Sequence, residues 1–243
     1  MKKCKILIFV PAYNVENKII KVLKKIPNNI FKKYNVTILI IEDKSKDKTL
    51  LIAKKIIKSF KKTKINLIAN KKNMGYGGVQ KIAFKYAIKK NFEYALMLHG
   101  DNQYPANKIL RLLKPLLTNK YDAVFGSRMI NSFDALRGGM PLYKYLANIL
   151  LTSFQNLVLS SNFSEFHSGY RSYRVSSLKK VSLNKNTNNF HFDTEIIIQF
   201  LKKKLTIKEV PMPTHYGDEI SHLKSIPYGL NILRTTIMSR FSK

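Results

Sequence analysis

The chain has 243 residues, 45% of them hydrophobic and 24% charged, enough for a substantial buried core and unlike a disordered polymer. Its single cysteine, Cys4, excludes an internal disulfide and gives no sign of an oxidising compartment. The net charge of +30 fits attraction to nucleotide diphosphates, nucleic acid or an acidic membrane, yet only seven of the 44 basic residues are arginine, so most of it reads as lysine-rich compositional drift.

Lys2, Lys3 and Lys5 precede a short apolar run, residues 6–10, which Pro11 ends; the run reads as a buried strand and not as a secretion signal. Further apolar runs at 36–42, 65–69, 94–99 and 121–126 read the same way. Between them, 16–26, 47–62, 77–90 and 106–118 carry apolar residues at helical spacing, as in Leu50, Ala53, Ile56, Ile57 and Phe60. Alternating strands and helices predict an α/β fold with a mainly parallel central sheet covered by helices on both faces. The second half predicts a helix at 141–159, a strand or loop at 166–174, a helix at 190–203, a strand at 205–211 and a last helix at 223–241. No repeat or linker interrupts the chain, so residues 1–243 are expected to form one domain, with 223–243 its C-terminal helix.

Ligands of such sheets sit in the loops beyond the carboxyl ends of the strands. The first, PAYNVEN (11–17), offers the ring of Tyr13 and the amide of Asn14, although a plain strand-to-helix turn has the same look. The second, EDKSKDKT (42–49), puts Glu42 and Asp43 at a strand tip, where an acidic group accepts hydrogen bonds from a base or ribose; Asp47 is placed to cap the next helix. In NMGYGGVQK (73–81), Gly75, Gly77 and Gly78 permit close backbone approach, and the helix start favours an anion.

LHGDNQYP (98–105) carries the strongest signal. His99, Asp101 and Gln103 alternate, so in an extended segment they share one side and converge on a divalent cation, Mg²⁺ or Mn²⁺; a turn with a capping Asp is the alternative. GSR (126–128) adds Arg128, suited to bidentate phosphate recognition. EFHSGYR (165–171), FHFDTE (190–195) and PTHYGDE (213–219) gather further polar groups, among them Glu165, His167, Ser168, Arg171, His191, Asp193 and Glu195.

Taken together and in this order, these loops resemble those of family 2 inverting glycosyltransferases, above all the dolichyl- and polyprenyl-phosphate mannose or glucose synthases, over about residues 5–220. The resemblance implies the nucleotide-sugar-binding GT-A fold. It implies that Pro11, Ala12, Tyr13, Asn14 and Asp43, with Gly75, Gly100 and Asp101, hold the nucleotide-sugar. It further implies that Asp101 and Gln103 hold a metal against the diphosphate, and that Arg128 meets donor or acceptor phosphate, with Ser168 and Arg171 beside it. The chain departs from the family pattern where His99-Gly100-Asp101 replaces the usual Asp-Ala-Asp. It departs again at 215–219, where His215, Tyr216 or Lys224 would have to take the place of a frequent arginine.

The expected reaction is transfer of a hexose from a GDP- or UDP-sugar to a polyprenyl phosphate. A hydroxyl acceptor in cell-surface polysaccharide synthesis is the alternative, and it alone requires a general base, for which Asp193 and Glu195 are the candidates. Dispersed lysines and acidic strand ends argue against the third option, a nucleic-acid-binding protein. No run of about 20 apolar residues crosses a bilayer. Residues 141–159 and the C-terminal helix are amphipathic enough for the membrane interface, so the expected location is cytoplasmic, peripheral at the inner face of the cell membrane.

Overall fold

The computed structural model describes residues 3–60, 63–213, 216 and 225–241. Seven strands form one sheet: β1 (Lys5–Ala12), β2 (Asn35–Glu42), β3 (Lys64–Ala69), β4 (Tyr94–Met97), β5 (Ala123–Ser127), β6 (Arg171–Arg174) and β7 (Ile207–Pro211). Their order is β3-β2-β1-β4-β6-β5-β7, and all pairings are parallel except those of β6, which runs antiparallel to β4 and β5.

The continuous apolar character of β1 follows from burial on both faces. Ile6, Ile8 and Val10 pack against helices α1 (Ile19–Lys24), α2 (Asn28–Lys33), α3 (Thr49–Ser59) and α5 (Ile109–Leu117). Leu7 and Phe9 pack on the other side against α4 (Gly75–Lys89), α8 (Val175–Leu178) and α9 (Phe192–Lys202). These five side chains are fully buried, each contributing roughly 1.5–3 kcal/mol.

Three more α-helices, α6 (Ser132–Arg137), α7 (Leu142–Leu159) and α10 (Ser225–Phe241), and two short 3-10 turns, Ala106–Lys108 and Leu183–Lys185, complete the described elements. Helix α2 has no counterpart in the sequence reading, because it buries only Ile30 and is too short for a periodic pattern. Strand order reverses at β1, which has β2 on one side and β4 on the other, and the loops that follow β1 and β4 lie beside each other at the carboxyl end of the sheet, where ligands of such sheets bind. Among the described residues no helix is long and apolar enough to cross a membrane.

Candidate active site

The loops after β1 and β2 are braided. Lys46 N–H donates to Asn14 Oδ1 at 2.9 Å, Asn14 N–H to Ser45 Oγ at 3.1 Å, and Val15 N–H to Thr49 Oγ1 at 2.8 Å. Asp47 stands one residue before the N-cap of α3, Lys48, and so does not cap the helix itself; its Oδ1 accepts from Thr49 N–H at 2.9 Å and its Oδ2 from Glu16 N–H at 3.1 Å, which adds to the braid. Pro11 and Ala12 end β1, with Ala12 fully buried, and Tyr13 follows half-buried in the loop. Gly100 crosses Pro11 so closely that a Cβ would stand 2.9 Å from the Pro11 carbonyl oxygen, so the glycine of His99-Gly100-Asp101 serves loop crossing.

Asp43 is buried and bound to the glycine loop. Its Oδ1 accepts from Asn70 Nδ2 at 2.7 Å and Met74 N–H at 2.8 Å, and its Oδ2 from Gly75 N–H at 3.0 Å. The amides of Gly77 and Gly78 point to the Asn188 carbonyl. The anion that the helix start favours is therefore the Asp43 carboxylate, which corrects the expectation of an external one. Gly75 has φ of 74°, and a Cβ there would meet the Asn188 carbonyl oxygen at 2.7 Å.

His99 and Asp101 follow β4, both half-buried. His99 Nε2 lies 3.2 Å from the Gly169 carbonyl oxygen, with the ring against Tyr104 and Tyr76. A carbonyl only accepts, so Nε2 is the donor in this contact. Asp101 Oδ1 accepts from Gln103 N–H at 2.9 Å, a local turn that leaves Oδ2 open. Among the described residues no three His, Cys, Asp or Glu side chains gather as a metal cage. Residues 100–102 form a turn with Asn102 at φ 66°, not an extended segment, so the alternation expected to bring His99, Asp101 and Gln103 to one side is replaced by the turn with a capping Asp; Asp101, with an oxygen outside that turn bond, is the donor that suits Mg²⁺ or Mn²⁺.

Arg128, at the end of β5, is the centre of a second cluster. Its Nε donates to Glu165 Oε1 at 2.7 Å, its Nη2 makes an ion pair with the same oxygen, and its backbone N–H donates to Oε2 at 2.8 Å. Nη1 donates to Tyr216 Oη at 2.5 Å, and Asn148 Nδ2 of α7 reaches Glu165 Oε1 at 2.8 Å. Burial opposes the Glu165 charge, but Arg128 and these N–H donors hold its carboxyl below the usual range. Asn148 and Tyr216 were not singled out as partners of this arginine by the sequence reading. The signal for Asn148 was its place with Thr152 and Gln155 in a polar stripe at helical spacing. His215 and Lys224 lie outside the described residues.

Ser168 and Arg171 are not brought to the surface. Ser168 is buried, with its hydroxyl toward Tyr104 Oη. Arg171 is 1% exposed and donates to the carbonyls of Ser168, Phe166 and Asp193 at 2.7, 2.6 and 2.9 Å. Its guanidinium stacks on Phe125 and lies 3.7 Å from Asp193 Oδ1. Asp193, also buried, accepts from Tyr76 Oη at 2.8 Å and Gln80 Nε2 at 2.9 Å. Glu195 accepts from Thr187 N–H at 2.6 Å, and burial raises its pKa. Arg171, held by Asp193, braces the loop between α7 and β6 from inside together with Ser168, whereas Glu195 ties down the segment before α9; at 1% exposure Arg171 offers no surface to an acceptor phosphate.

His167 lies in the same loop, with Nδ1 2.9 Å from Tyr228 Oη of α10 and Nε2 buried without a hydrogen-bond partner among the described residues. Burial pushes its imidazole down to about 4; the Arg128 and Arg171 charges act in the same direction and Glu165 against it. A folded-state pKa below the unfolded value means that its contribution is complete above about pH 6.5 and is lost as pH falls toward 4. The loss reaches up to about 3 kcal/mol. His167→Asn keeps an acceptor for Tyr228 and removes the titration, so its urea stability should fall less than wild type between pH 6.5 and 4.5. Parallel pH profiles of the two proteins would reject this origin of acid sensitivity.

The chain is similar to several known proteins. UDP-N-acetylglucosamine–dolichyl-phosphate N-acetylglucosaminyltransferase of Methanococcus voltae is 27% identical over 249 residues, covering 98% of this chain and 97% of that protein. Dolichyl-phosphate beta-glucosyltransferase of Saccharomyces cerevisiae is 25% identical, covering 87% of this chain and 67% of that protein. In three dimensions, glucosyl-3-phosphoglycerate synthase of Mycobacterium tuberculosis, solved with Mn²⁺, UDP and glucosyl-3-phosphoglycerate, superposes with a TM-score of 0.71 at 13% identity. The match covers 97% of this chain and 80% of that one, a likeness of fold that agrees with the expected GT-A class. The family model described as glycosyl transferase family 2 matches residues 7–182, from inside β1 to beyond β6. With its strand-end loops in that family's order and its sheet in that family's fold, the chain belongs to glycosyl transferase family 2.

Proposed function

We propose that the protein transfers a hexose from a nucleotide-sugar to a polyprenyl phosphate, with inversion at the anomeric carbon. The observation that carries the acceptor class is the condition of Asp193. A hydroxyl acceptor needs a base to take its proton, and both Asp193 oxygens are committed to internal donors, Tyr76 and Gln80. A phosphate acceptor is already ionised at neutral pH. The relatives from Methanococcus voltae and Saccharomyces cerevisiae, both named for dolichyl phosphate, support the same choice. A UDP-sugar is the first donor to test, because the Methanococcus relative is named for one.

In this reading Pro11, Ala12, Tyr13 and Asn14 hold the nucleotide where β1 ends, and Asp43 fixes the neighbouring glycine loop. Gly75 and Gly100 let the backbone segments approach. Asp101, with His99 and Gln103 near it in sequence, would hold Mg²⁺ or Mn²⁺, which when bound would supply positive charge to the departing diphosphate. An acceptor phosphate oxygen attacks the anomeric carbon, the bond from that carbon to the diphosphate oxygen breaks, and its electron pair leaves with the nucleoside diphosphate. Arg128 orients the attacking phosphate with N–H groups beyond those given to Glu165 and Tyr216.

The test uses purified protein, Mn²⁺, a panel of radiolabelled UDP- and GDP-sugars and a short-chain polyprenyl phosphate. Label should partition into organic solvent; label found only in water-soluble saccharide would overturn the acceptor class. Arg128→Lys keeps the charge and loses the planar fork. It should raise the acceptor KM by roughly 10–100-fold, the worth of a hydrogen bond to a charged group, with little change in donor binding. An equal loss of donor affinity would move Arg128 to the diphosphate.

A further inference from the structure

Three side chains from the segments after β3 and β4 converge on Gly169. A Cβ there would lie 2.6 Å from His99 Nε2 and 2.7 Å from Tyr76 Oη, so only a glycine fits between them. Both backbone groups of Gly169 are taken by the loop after β4. Its carbonyl accepts from His99 Nε2 at 3.2 Å, and its N–H donates to Tyr104 Oη at 3.1 Å. The rings behind these atoms pack in a row, with centroids 5.0 Å apart for His99 and Tyr104 and 5.2 Å for Tyr104 and Tyr170.

This contact gives a reason for the imidazole at a position where an aspartate is usual. A carboxylate can only accept, and at residue 99 it would leave the Gly169 carbonyl without its donor; an imidazole brings an N–H. The two ends of the bond belong to the two halves of the site. His99 stands two residues before Asp101, and Gly169 four residues after Glu165, which holds Arg128. The stretch between Glu165 and Gly169 is stiff. Phe166 is fully buried, and the Phe166 and Ser168 carbonyls are both bound by Arg171. A shift at Gly169 is therefore carried to Glu165 and not absorbed on the way.

We propose that His99 is a positioning residue and not a metal ligand: its bond to Gly169 sets the spacing between the Asp101 loop and Arg128. The inference rests on the transfer reading for its purpose, since donor carbon and acceptor oxygen must be brought to about 3–3.5 Å. A misplacement of about 1 Å in such a pair costs on the order of 10²-fold in rate. The tie itself is measured without catalysis.

The experiment compares wild type with His99→Gln, His99→Leu and His99→Asp. Glutamine keeps an N–H donor at similar reach, leucine keeps bulk against Tyr104 without a donor, and aspartate restores an oxygen ligand without a donor. Amide hydrogen exchange should rise about tenfold in leucine and aspartate variants over residues 165–171, the worth of one hydrogen bond. It should rise likewise at Arg128, whose N–H is held by Glu165 Oε2, while β1 and β2 stay protected. The glutamine variant should exchange like wild type. If leucine also loosens β1 and β2, the contrast of aspartate with glutamine decides, because both are polar and only one donates. The strengthening of UDP binding by Mn²⁺ should be equal in all four proteins, since Asp101 is untouched. On a short-chain polyprenyl phosphate, kcat should fall roughly 10–100-fold with leucine or aspartate and recover to within about threefold with glutamine. A His99→Asp protein that turns over faster than wild type, or that gains more from Mn²⁺ in UDP binding, would make residue 99 a metal ligand and overturn the proposal. So would unchanged exchange over 165–171 and at Arg128 in both variants that lack the donor. Donor-dependent exchange in a protein that transfers to no polyprenyl phosphate would support the tie and sink the acceptor reading, so the two fail separately.

Discussion

Asp101→Asn is expected to lower sugar transfer by on the order of 10³-fold while leaving the fold and its thermal stability unchanged. The reason is the division of labour between its two oxygens. Oδ1 accepts from Gln103 N–H and keeps the turn after β4, a role the amide oxygen of asparagine fills equally well. The open oxygen becomes an NH₂ group, which repels a divalent cation instead of binding it. What is lost is a charge aimed at the departing diphosphate, a contribution usually worth several kcal/mol in the transition state. Calorimetric titration with UDP, with and without Mn²⁺, separates this from a general loss of binding. Wild type should bind UDP more tightly when Mn²⁺ is present, and Asp101→Asn should bind it equally in both conditions. Undiminished turnover in the variant would remove Asp101 from the metal.

Strands with both faces buried were readable because nothing polar interrupts them: β1 is continuous hydrocarbon from Ile6 to Val10, and β2 is the same from Ile38 to Ile41. The parallel order of the first four strands followed from their alternation with helices. Antiparallel β6 did not, because Arg171–Arg174 is a short strand whose polar residues resemble a loop. At the site, residue type marked the right segments and misjudged direction. Asp101 and Arg171 are each a charged residue close to a glycine at a strand end; one stands half-buried beyond β4 and the other points into the core toward Phe125 and Asp193. Local sequence has no term for that difference, which is decided by whether a carbonyl-lined interior awaits the side chain. The glycine loop misled for a related reason. Its amides do seek an anion, and the chain itself supplies one in Asp43, 31 positions earlier than Met74.

The Arg171–Asp193 pair should therefore act on stability and not on chemistry. Arg171→Met leaves the Asp193 carboxylate charged and uncompensated in the interior and strips donors from three backbone carbonyls, so it should cost about 3–5 kcal/mol in urea unfolding. That is a large share of the roughly 5–15 kcal/mol available to a native protein. Asp193→Asn should cost less, since an amide still accepts from Tyr76 or Gln80. In the double variant R171M/D193N the losses should fall short of additive, because neither side then buries a lone charge. A general base behaves otherwise: its removal spares stability and lowers kcat by roughly 10²–10⁴-fold. For Asp193→Asn, kcat per folded molecule should remain within about threefold of wild type, well short of that range. A variant as stable as wild type but catalytically dead would return Asp193 to the chemistry, and with it a hydroxyl acceptor in place of the lipid phosphate.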